Sequence, residues 1–258
     1  MQGEFKDKWG IILGGSSGLG LASAKKLAEH GMNLCVVHRD RRSELSKIES
    51  HWETIRSYGV ELITLNKDAL KPETRLEILK DLKGKSVYLL LHSLAKGHLK
   101  PLVADNTSPL SSEDVALTAS AMGGSLLDWT QDLIAAKLFA SPARVIGFTS
   151  EGNSRSWPAY GAISAAKGVL EALIRQMAVE YAHLGIRTNA LQAGITKTAS
   201  FGLIPNNEQM AKWSEKRNPF GRLTTPEDVA KVVYLLCKEE ANWINGTTIK
   251  VDGGESLR

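Results

Sequence analysis

The sequence predicts an α/β fold: one domain over residues 1–258, built on a doubly wound, seven-stranded parallel sheet with helices on both faces. Two observations lead to this prediction. Seven short segments are apolar along their length, as strands are when helices cover both faces of a sheet, and helical spacing recurs between them. The chain has 258 residues, 43% of them hydrophobic, which is enough for one large core.

The elements follow one another along the chain with few gaps. The first strand, WGIIL, ends in glycines, and the next segment places Leu21, Ala24 and Leu27 on one helical face before Gly31 stops it. Pro226, followed by acidic residues, marks the start of the last helix. Strands are predicted at 9–13, 33–37, 60–65, 86–92, 143–150, 186–192 and 246–254, and helices at 20–31, 43–57, 72–82, 112–140, 157–183 and from 226 onward.

The composition narrows the class of protein. Charged residues make up 23% and the net charge is +4 without a charged tail, which argues against a nucleic-acid partner. No apolar run approaches bilayer length and the first residues, MQGEFKDKWG, lack a signal sequence, so we expect a cytoplasmic protein that binds no membrane. Cys35 and Cys237 lie in apolar segments and are expected as buried thiols. The six histidines lack metal-ligand spacing, so no metal site is predicted.

A glycine-rich loop follows the first strand. In IILGGSSGLGLA, Gly14, Gly18 and Gly20 stand between a strand and the start of a helix, with Ser16, Ser17 and Leu19 among them. Small residues let the backbone approach a pyrophosphate, and the helix N-terminus offers free N–H groups and a positive dipole end. A tight turn alone would also explain the glycines, but the strand–loop–helix context favours dinucleotide binding.

The spacing G-x-x-x-G-x-G resembles that of the short-chain dehydrogenase/reductase superfamily, and later motifs extend the resemblance over nearly the whole chain. The resemblance implies a Rossmann fold that binds a nicotinamide dinucleotide. Leu13 departs from the family pattern, which usually has Thr before the first glycine.

The end of the second strand indicates which dinucleotide is bound. HRDRR places Arg39, Arg41 and Arg42 where a basic residue suits the 2′-phosphate of NADPH, whereas an acidic residue would bind a ribose hydroxyl. Asp40 is the opposing signal, unless it caps the next segment or pairs with a neighbouring Arg. We expect NADPH; the alternative is a solvated basic turn.

Two further strand ends complete the cofactor prediction through the resemblance. Asp68, followed by Ala69, resembles the family's adenine-contacting position, although a turn-forming Asp would look the same. Ser93, Leu94 and Ala95 stand where most members carry Asn-Asn-Ala-Gly, and this sequence is similar to that of the enoyl reductases.

Tyr160 and Lys167 are the expected catalytic pair. Most of the superfamily uses Tyr-x-x-x-Lys, but here six residues separate the two. On one helix a seven-residue step returns to nearly the same face, about 10 Å further along. This spacing resembles the enoyl-acyl-carrier-protein reductases, and Ser150, ten residues before Tyr160, resembles their NADPH-dependent branch. Met122 falls about where ketone-reducing members carry a catalytic Asn, and no Asn lies between Asn106 and Asn153.

The resemblance implies reduction of the C2=C3 bond of a trans-2-enoyl thioester carried by acyl carrier protein or coenzyme A, in a homotetramer. In that reaction Tyr160 hydrogen-bonds the thioester carbonyl, Lys167 holds a cofactor ribose hydroxyl, and Ser150 orients the substrate or a water. A reductase acting on a ketone, and a catalytically silent NADP-binding regulator, stay open as alternatives.

The least regular stretch, 194–220, follows the sixth strand, and a loop of this length in a compact domain is often a lid. Gly194, Thr196 and Thr198 resemble the family's cofactor-binding motif, although Ile195 stands where a Pro is expected. Three interpretations are open for the rest: an apolar lid over an acyl chain, a basic rim for an acidic carrier, or a surface helix on the core. The apolar residues concerned are Phe201, Leu203, Ile204, Met210 and Trp213, and the basic ones are Lys197, Lys212, Lys216 and Arg217.

Overall fold

The computed structural model describes residues 3–258, so the first two residues of the predicted domain lie outside it. Seven parallel strands form one sheet in the order β3-β2-β1-β4-β5-β6-β7. The predicted α/β fold with a seven-stranded parallel sheet is therefore confirmed. The strands are β1 Trp9–Leu13, β2 Asn33–His38, β3 Leu62–Asn66, β4 Val87–His92, β5 Phe139–Ser150, β6 Ile186–Ala193 and β7 Thr248–Val251.

Eight α-helices are described, and they cover both faces of the sheet. Alternate residues of β1 show the two layers: Ile12 joins the apolar cluster of α1 and α8, whereas Ile11 and Leu13 join the cluster of α5 and α6. This alternation is what a strand buried on both faces requires. The helices are α1 Gly18–Glu29, α2 Leu45–Arg56, α3 Pro72–Asp81, α4 Ser112–Ala119, α5 Ser125–Ala135, α6 Gly161–Glu180, α7 Asn207–Arg217 and α8 Pro226–Cys237.

The order of the strands in the sheet determines where a ligand site can form. β1 lies between β2 and β4, so the chain leaves β1 toward one edge of the sheet and later returns to its other side. At such a reversal the loops beyond the strand ends diverge and leave a crevice, which is where parallel α/β sheets bind ligands.

The helix predicted over 112–140 is wrong in its extent. It is divided into α4 and α5 by a π-helical segment, Ser120–Gly124, and β5 already begins at Phe139. Gly123 explains why this segment lies so close to α6: a Cβ there would be 3.0 Å from the carbonyl oxygen of Ala166. The absence of a side chain lets the two backbones meet.

The helix predicted over 157–183 begins later than expected. α6 starts at Gly161, and Tyr160 is its N-cap residue with φ −96° and ψ 3°. Ala159 has a left-handed φ of 63°, which interrupts any helix through Pro158. Tyr160 therefore precedes the helix that contains Lys167, and helical periodicity alone does not fix their relative orientation.

The predicted irregular stretch 194–220 contains regular structure. A 3-10 turn, Phe201–Leu203, precedes α7, which buries Met210, Ala211, Ser214 and Arg217. The segment thus includes an 11-residue helix packed on the body of the protein. Arg217, expected on a basic rim, is buried instead.

Both cysteines are buried and free, as expected, and burial raises the pKa of each thiol to about 12. Over residues 3–258, no helix is long and apolar enough to cross a membrane.

Candidate active site

A cavity of about 500 Å³ opens at the carboxyl ends of β1, β4, β5 and β6. The glycine loop forms one side, the end of β5 and the start of α6 form another, and the segment after β6 covers it. Its position at the strand ends, with a mainly apolar wall and a few polar groups, is that of a ligand site.

The glycine loop is shaped by close backbone contacts. A Cβ at Gly20 would lie 2.2 Å from the carbonyl oxygen of Gly14, and one at Gly14 would lie 2.6 Å from that of Ser93. Gly14 also has a φ of 84°, which favours glycine. Any side chain at these two positions would push the loop away from the first helix and from β4.

The N-terminus of α1 faces the cavity with its amides available. Ser17 is the N-cap residue, and its side chain makes no capping hydrogen bond. Thr198 lies opposite, since a Cβ built at Gly18 would be 3.2 Å from its Cγ2. The first turn of a helix with free N–H groups and a positive dipole end suits the pyrophosphate of a dinucleotide. The loop therefore fits the group predicted for it.

The acidic residues Asp68 and Asp40 make separate contacts near the end of β2. The Nη1 of Arg39 lies 3.0 Å from Oδ2 of Asp68, and Lys96 lies 3.4 Å from the same oxygen. Asp40 pairs with neither a neighbouring Arg nor a helix end: its Oδ2 lies 2.7 Å from Nδ1 of the buried His38. Its carboxylate is thus directed to β2, while the Arg39 side chain is 60% exposed.

The phenol of Tyr160 meets Ser150. Their hydroxyl oxygens lie 3.4 Å apart, a long hydrogen bond. Burial raises the pKa of Tyr160, and the contact with Ser150 acts in the opposite direction. The Tyr160 side chain packs against the apolar cluster of Met122, Ile163 and Ala166. A neutral, positioned hydroxyl at the cavity wall can donate a hydrogen bond to a carbonyl oxygen.

Lys167 lies in α6, is buried, and lines the same cavity. Its Nζ donates a 2.7 Å hydrogen bond to the carbonyl oxygen of Phe148 on β5. Burial lowers its pKa to about 8, while the carboxylate of Glu171 acts in the opposite direction. Glu171 itself accepts hydrogen bonds of 2.5 Å from Thr149 and from Asn153. The Lys167 cation thus lines the cavity that Tyr160 also lines, and it forms no salt bridge with Glu171.

Most of the predicted site residues meet in this cavity. Those that line it are Gly14, Ser17, Gly18, Leu19, Ser93, Leu94, Ala95, Ser150, Tyr160, Lys167, Gly194, Thr196 and Thr198. The others do not: Ser16, Gly20, Arg39, Asp68 and Ala69 lie outside its lining. The backbone oxygen of Ala69 accepts a hydrogen bond from Trp129.

Sequence reasoning missed a group of charged residues beside Tyr160. Glu151, Arg155 and Glu255 line the cavity, and Arg217 joins them behind it. No local sequence motif identifies these residues, because they come from three separate segments. Trp157 was also missed, and it packs with Phe201 and Met210 in an apolar wall.

This fold, with the glycine loop, the phenol and the lysine at one switch point, defines an oxidoreductase of the short-chain dehydrogenase/reductase superfamily that binds a nicotinamide dinucleotide. Residues 14–256 match the family model described as enoyl-(acyl carrier protein) reductase, so the chain belongs to this family.

The relatives in this superfamily differ in what they reduce. One is enoyl-acyl-carrier-protein reductase (NADH) 2 of Rhizobium meliloti, 26% identical over 272 residues, covering 100% of this chain and 94% of the relative. Another is a tropinone reductase homologue of Arabidopsis thaliana, 31% identical over 257 residues, with 97% and 92% covered.

Solved structures share the fold. The enoyl-acyl-carrier-protein reductase (NADH) of Aquifex aeolicus is 23% identical, with 98% of each chain covered and a TM-score of 0.83. A short-chain dehydrogenase of Burkholderia cenocepacia in complex with NADP is 21% identical, with 98% and 99% covered and a TM-score of 0.83.

Proposed function

We propose that the chain acts as one reductase domain that uses NADPH to reduce the C2=C3 bond of trans-2-enoyl thioesters. The observation that carries the proposal is the joint position of Tyr160 and Lys167. Despite the six residues between them, both line the cavity that begins at the glycine loop. A bound reduced nicotinamide would supply the hydride for the β-carbon, and a proton from solvent would complete the α-carbon.

Tyr160 has the role of hydrogen-bond donor to the thioester carbonyl oxygen. Charge develops on this oxygen as the conjugated double bond is reduced, and a positioned donor stabilises the enolate. Ser150 lies 3.4 Å from the phenol oxygen, close enough to steer its hydrogen. The raised pKa of Tyr160 keeps the phenol protonated at neutral pH, as a donor must be.

Lys167 supports the phenol from α6. Its ammonium has three donors, of which the carbonyl oxygen of Phe148 takes one. The others suit a ribose hydroxyl of the dinucleotide, and its positive charge favours negative charge on the neighbouring phenol and substrate oxygens.

The wall of the cavity supports an acyl substrate. Trp157, Phe201, Ile204 and Met210 contribute apolar surface beside the phenol. Lys197, Lys212 and Lys216 are exposed on the covering segment and give it the positive charge that suits an acidic carrier protein.

NADPH is favoured by Arg39. Its ion pair with Asp68 is exposed, and such pairs contribute at most about 1 kcal/mol, so the guanidinium is free to bind a 2′-phosphate. The Rhizobium meliloti relative is named for NADH, so both cofactors belong in the test.

The test is a spectrophotometric assay of cofactor oxidation with crotonyl-type and longer enoyl thioesters, run with NADPH and with NADH. Turnover of enoyl thioesters with NADPH preferred is the expected result. No turnover of enoyl thioesters would refute the proposal, and equal or better use of NADH would refute the role of Arg39. A homotetramer is the proposed assembly, and sedimentation equilibrium should then give four chain masses.

A ketone reductase is the second candidate, because one relative is named as a tropinone reductase homologue. Against it, the buried Met122 lines the cavity within the π-helical segment, where a ketone-reducing relay would need a polar side chain. Turnover of 3-oxoacyl thioesters without turnover of enoyl thioesters would favour this candidate. Cofactor binding without any turnover would favour a regulator.

A further inference from the structure

A buried guanidinium joins three separate segments beside the cavity. Arg217 is the last residue of α7, and its Nη2 lies 2.5 Å from Oε2 of Glu151 and 3.1 Å from Oε1 of Glu255. Glu151 follows Ser150 directly, and Glu255 begins the C-terminal 3-10 turn. The side chain of Arg217 is only 6% exposed, so its charge would be unfavourable there without the two carboxylates that pair with it.

An aromatic ring extends this contact. The indole of Trp213, one turn earlier in α7, has the guanidinium of Arg217 at 4.1 Å and that of Arg155 at 5.0 Å from its ring centre. Arg155 also donates a 3.0 Å hydrogen bond to Glu151. The last turn of α7 is therefore attached at two points to the turn that follows β5.

The turn that follows β5 restricts the position of the Tyr160 phenol. Glu151 opens the 3-10 turn Glu151–Asn153, and a Cβ at Gly152 would be 2.4 Å from Cε1 of Tyr160. The backbone of the turn thus lies against the phenol ring with no room between them. A shift of Glu151 must move the ring or separate it from its support.

The carboxylate of Glu255 contacts the backbone just after the end of β6. Oε2 of Glu255 accepts a 3.1 Å hydrogen bond from the backbone N–H of Ile195. A Cβ at Gly194 would lie 2.9 Å from the same oxygen. Arg217 is thus connected, through Glu255, to the backbone that lines the cavity opposite the phenol.

We propose that Arg217 is a positioning residue that couples the docking of α7 over the cavity to the placement of Tyr160, acting through Glu151. Arg217 does not line the cavity and touches no reacting group. Its Nε is buried without a partner, so the guanidinium is held by its two carboxylates and by the ring of Trp213. Glu151 carries the effect to the phenol, and Glu255 fixes the opposite wall.

The kinetic test uses Arg217→Met, which keeps the stem and removes the charge. We expect kcat to fall about 10²-fold because a displacement of about 1 Å at a reacting group has that effect, while KM and the Kd for NADPH stay within about threefold. In a Tyr160→Phe background the same change should cost less than about twofold, because the group it positions is gone. An unchanged kcat, or an equal loss in both backgrounds, would overturn the proposal.

Two further variants sharpen this comparison. Glu151→Gln should reproduce the loss, and the double variant with Arg217→Met should be no worse than either alone. Arg222→Met is the matched control: Arg222 forms an ion pair with Asp228 and is 56% exposed, and neither Glu151 nor Glu255 is among its hydrogen-bond partners. Its kcat should stay at the wild-type value. A loss at Arg222 equal to that at Arg217 would count against positioning.

Hydrogen exchange tests the coupling without any substrate, and only the kinetic arm rests on the proposed function. In the cofactor-free protein, Arg217→Met should raise exchange in both 151–160 and 207–217, whereas Arg222→Met should not. Faster exchange in 207–217 alone would mean that Arg217 merely anchors α7 and would overturn the coupling. If enoyl thioesters were not reduced, the proposed function would fail while this measurement still decided the inference.

Discussion

Replacing Lys167 with Met should make the cofactor-free protein more stable at neutral pH while abolishing its activity. Lys167 is 7% exposed, and burial lowers its pKa from 10.5 to about 8. A lowered lysine pKa means that the charged form is less favourable in the folded protein than in the unfolded chain. Methionine has a similar length and carries no charge.

The pKa shift and the hydrogen bond of Lys167 give the expected size of this stability change. One pKa unit corresponds to about 1.4 kcal/mol, so the lowering from 10.5 to about 8 costs the folded state roughly 3 kcal/mol at pH 7. The substitution also removes the hydrogen bond to the carbonyl oxygen of Phe148, a loss of about 1–2 kcal/mol. We therefore expect a net gain in the free energy of unfolding of about 1–2 kcal/mol.

The gain should depend on pH in one direction. Between pH 8 and 10.5 the unfolded chain holds the lysine proton while the folded protein has begun to release it, so the stability of the wild type rises with pH. The Met variant lacks this rise. The advantage of the Met variant should therefore shrink through that window and reverse near its top, because the wild type regains roughly 3 kcal/mol there.

Urea unfolding of both proteins without cofactor, at pH 7 and again near the top of the window, measures these differences. Lys231→Met is the control, since Lys231 is an exposed residue of α8 and its loss should change stability little at either pH. A Lys167→Met variant less stable than the wild type at pH 7, or a difference that does not vary with pH, would refute the reasoning.

Three further substitutions test the rest of the site. Tyr160→Phe should lower kcat by about 10²–10³-fold, as loss of an oxyanion donor does, in the cofactor-oxidation assay, whereas the exposed Tyr58→Phe should leave kcat unchanged. Arg39→Ala should raise KM for NADPH about tenfold or more with little change for NADH, since only NADPH carries the 2′-phosphate. Gly20→Ala should abolish NADPH binding in a fluorescence titration because its Cβ would meet the carbonyl oxygen of Gly14; Gly168→Ala, in open space, should not.

Local pattern predicted the elements well where burial is uniform. The strands at 9–13 and 33–37 are apolar throughout because helices cover both of their faces, and the structure confirms them nearly to the residue. Pro226 begins α8 as predicted, and Thr225 and Asp228 cap it reciprocally. These signals act within a few residues, so they can be read from the chain itself.

Sequence pattern gave wrong helix boundaries where a contact between distant residues determines the backbone conformation. The helix predicted over 112–140 is interrupted where Gly123 meets α6, a contact that no local spacing encodes. The predicted start of α6 was wrong because Ala159 adopts a left-handed conformation, which is not expected for an alanine.

The candidate site was likewise predictable only in part. Gly14, Gly18, Tyr160 and Lys167 stand at recognisable spacings, and all four line one cavity. Arg217 was expected among surface lysines, because a guanidinium in a polar helix is usually exposed. Its burial depends on Glu151 and Glu255, which lie 66 and 38 residues away in the chain.

The amino-acid sequence by itself determined the parallel α/β sheet, the dinucleotide loop and the identity of the candidate catalytic pair, because periodicity and short motifs act between near neighbours. Only the tertiary structure decided that Tyr160 precedes its helix, that Asp40 faces His38, and that Arg217 is buried between Glu151 and Glu255. These features depend on which side chains meet across the fold, and burial and pairing energies arise only once distant segments are in contact.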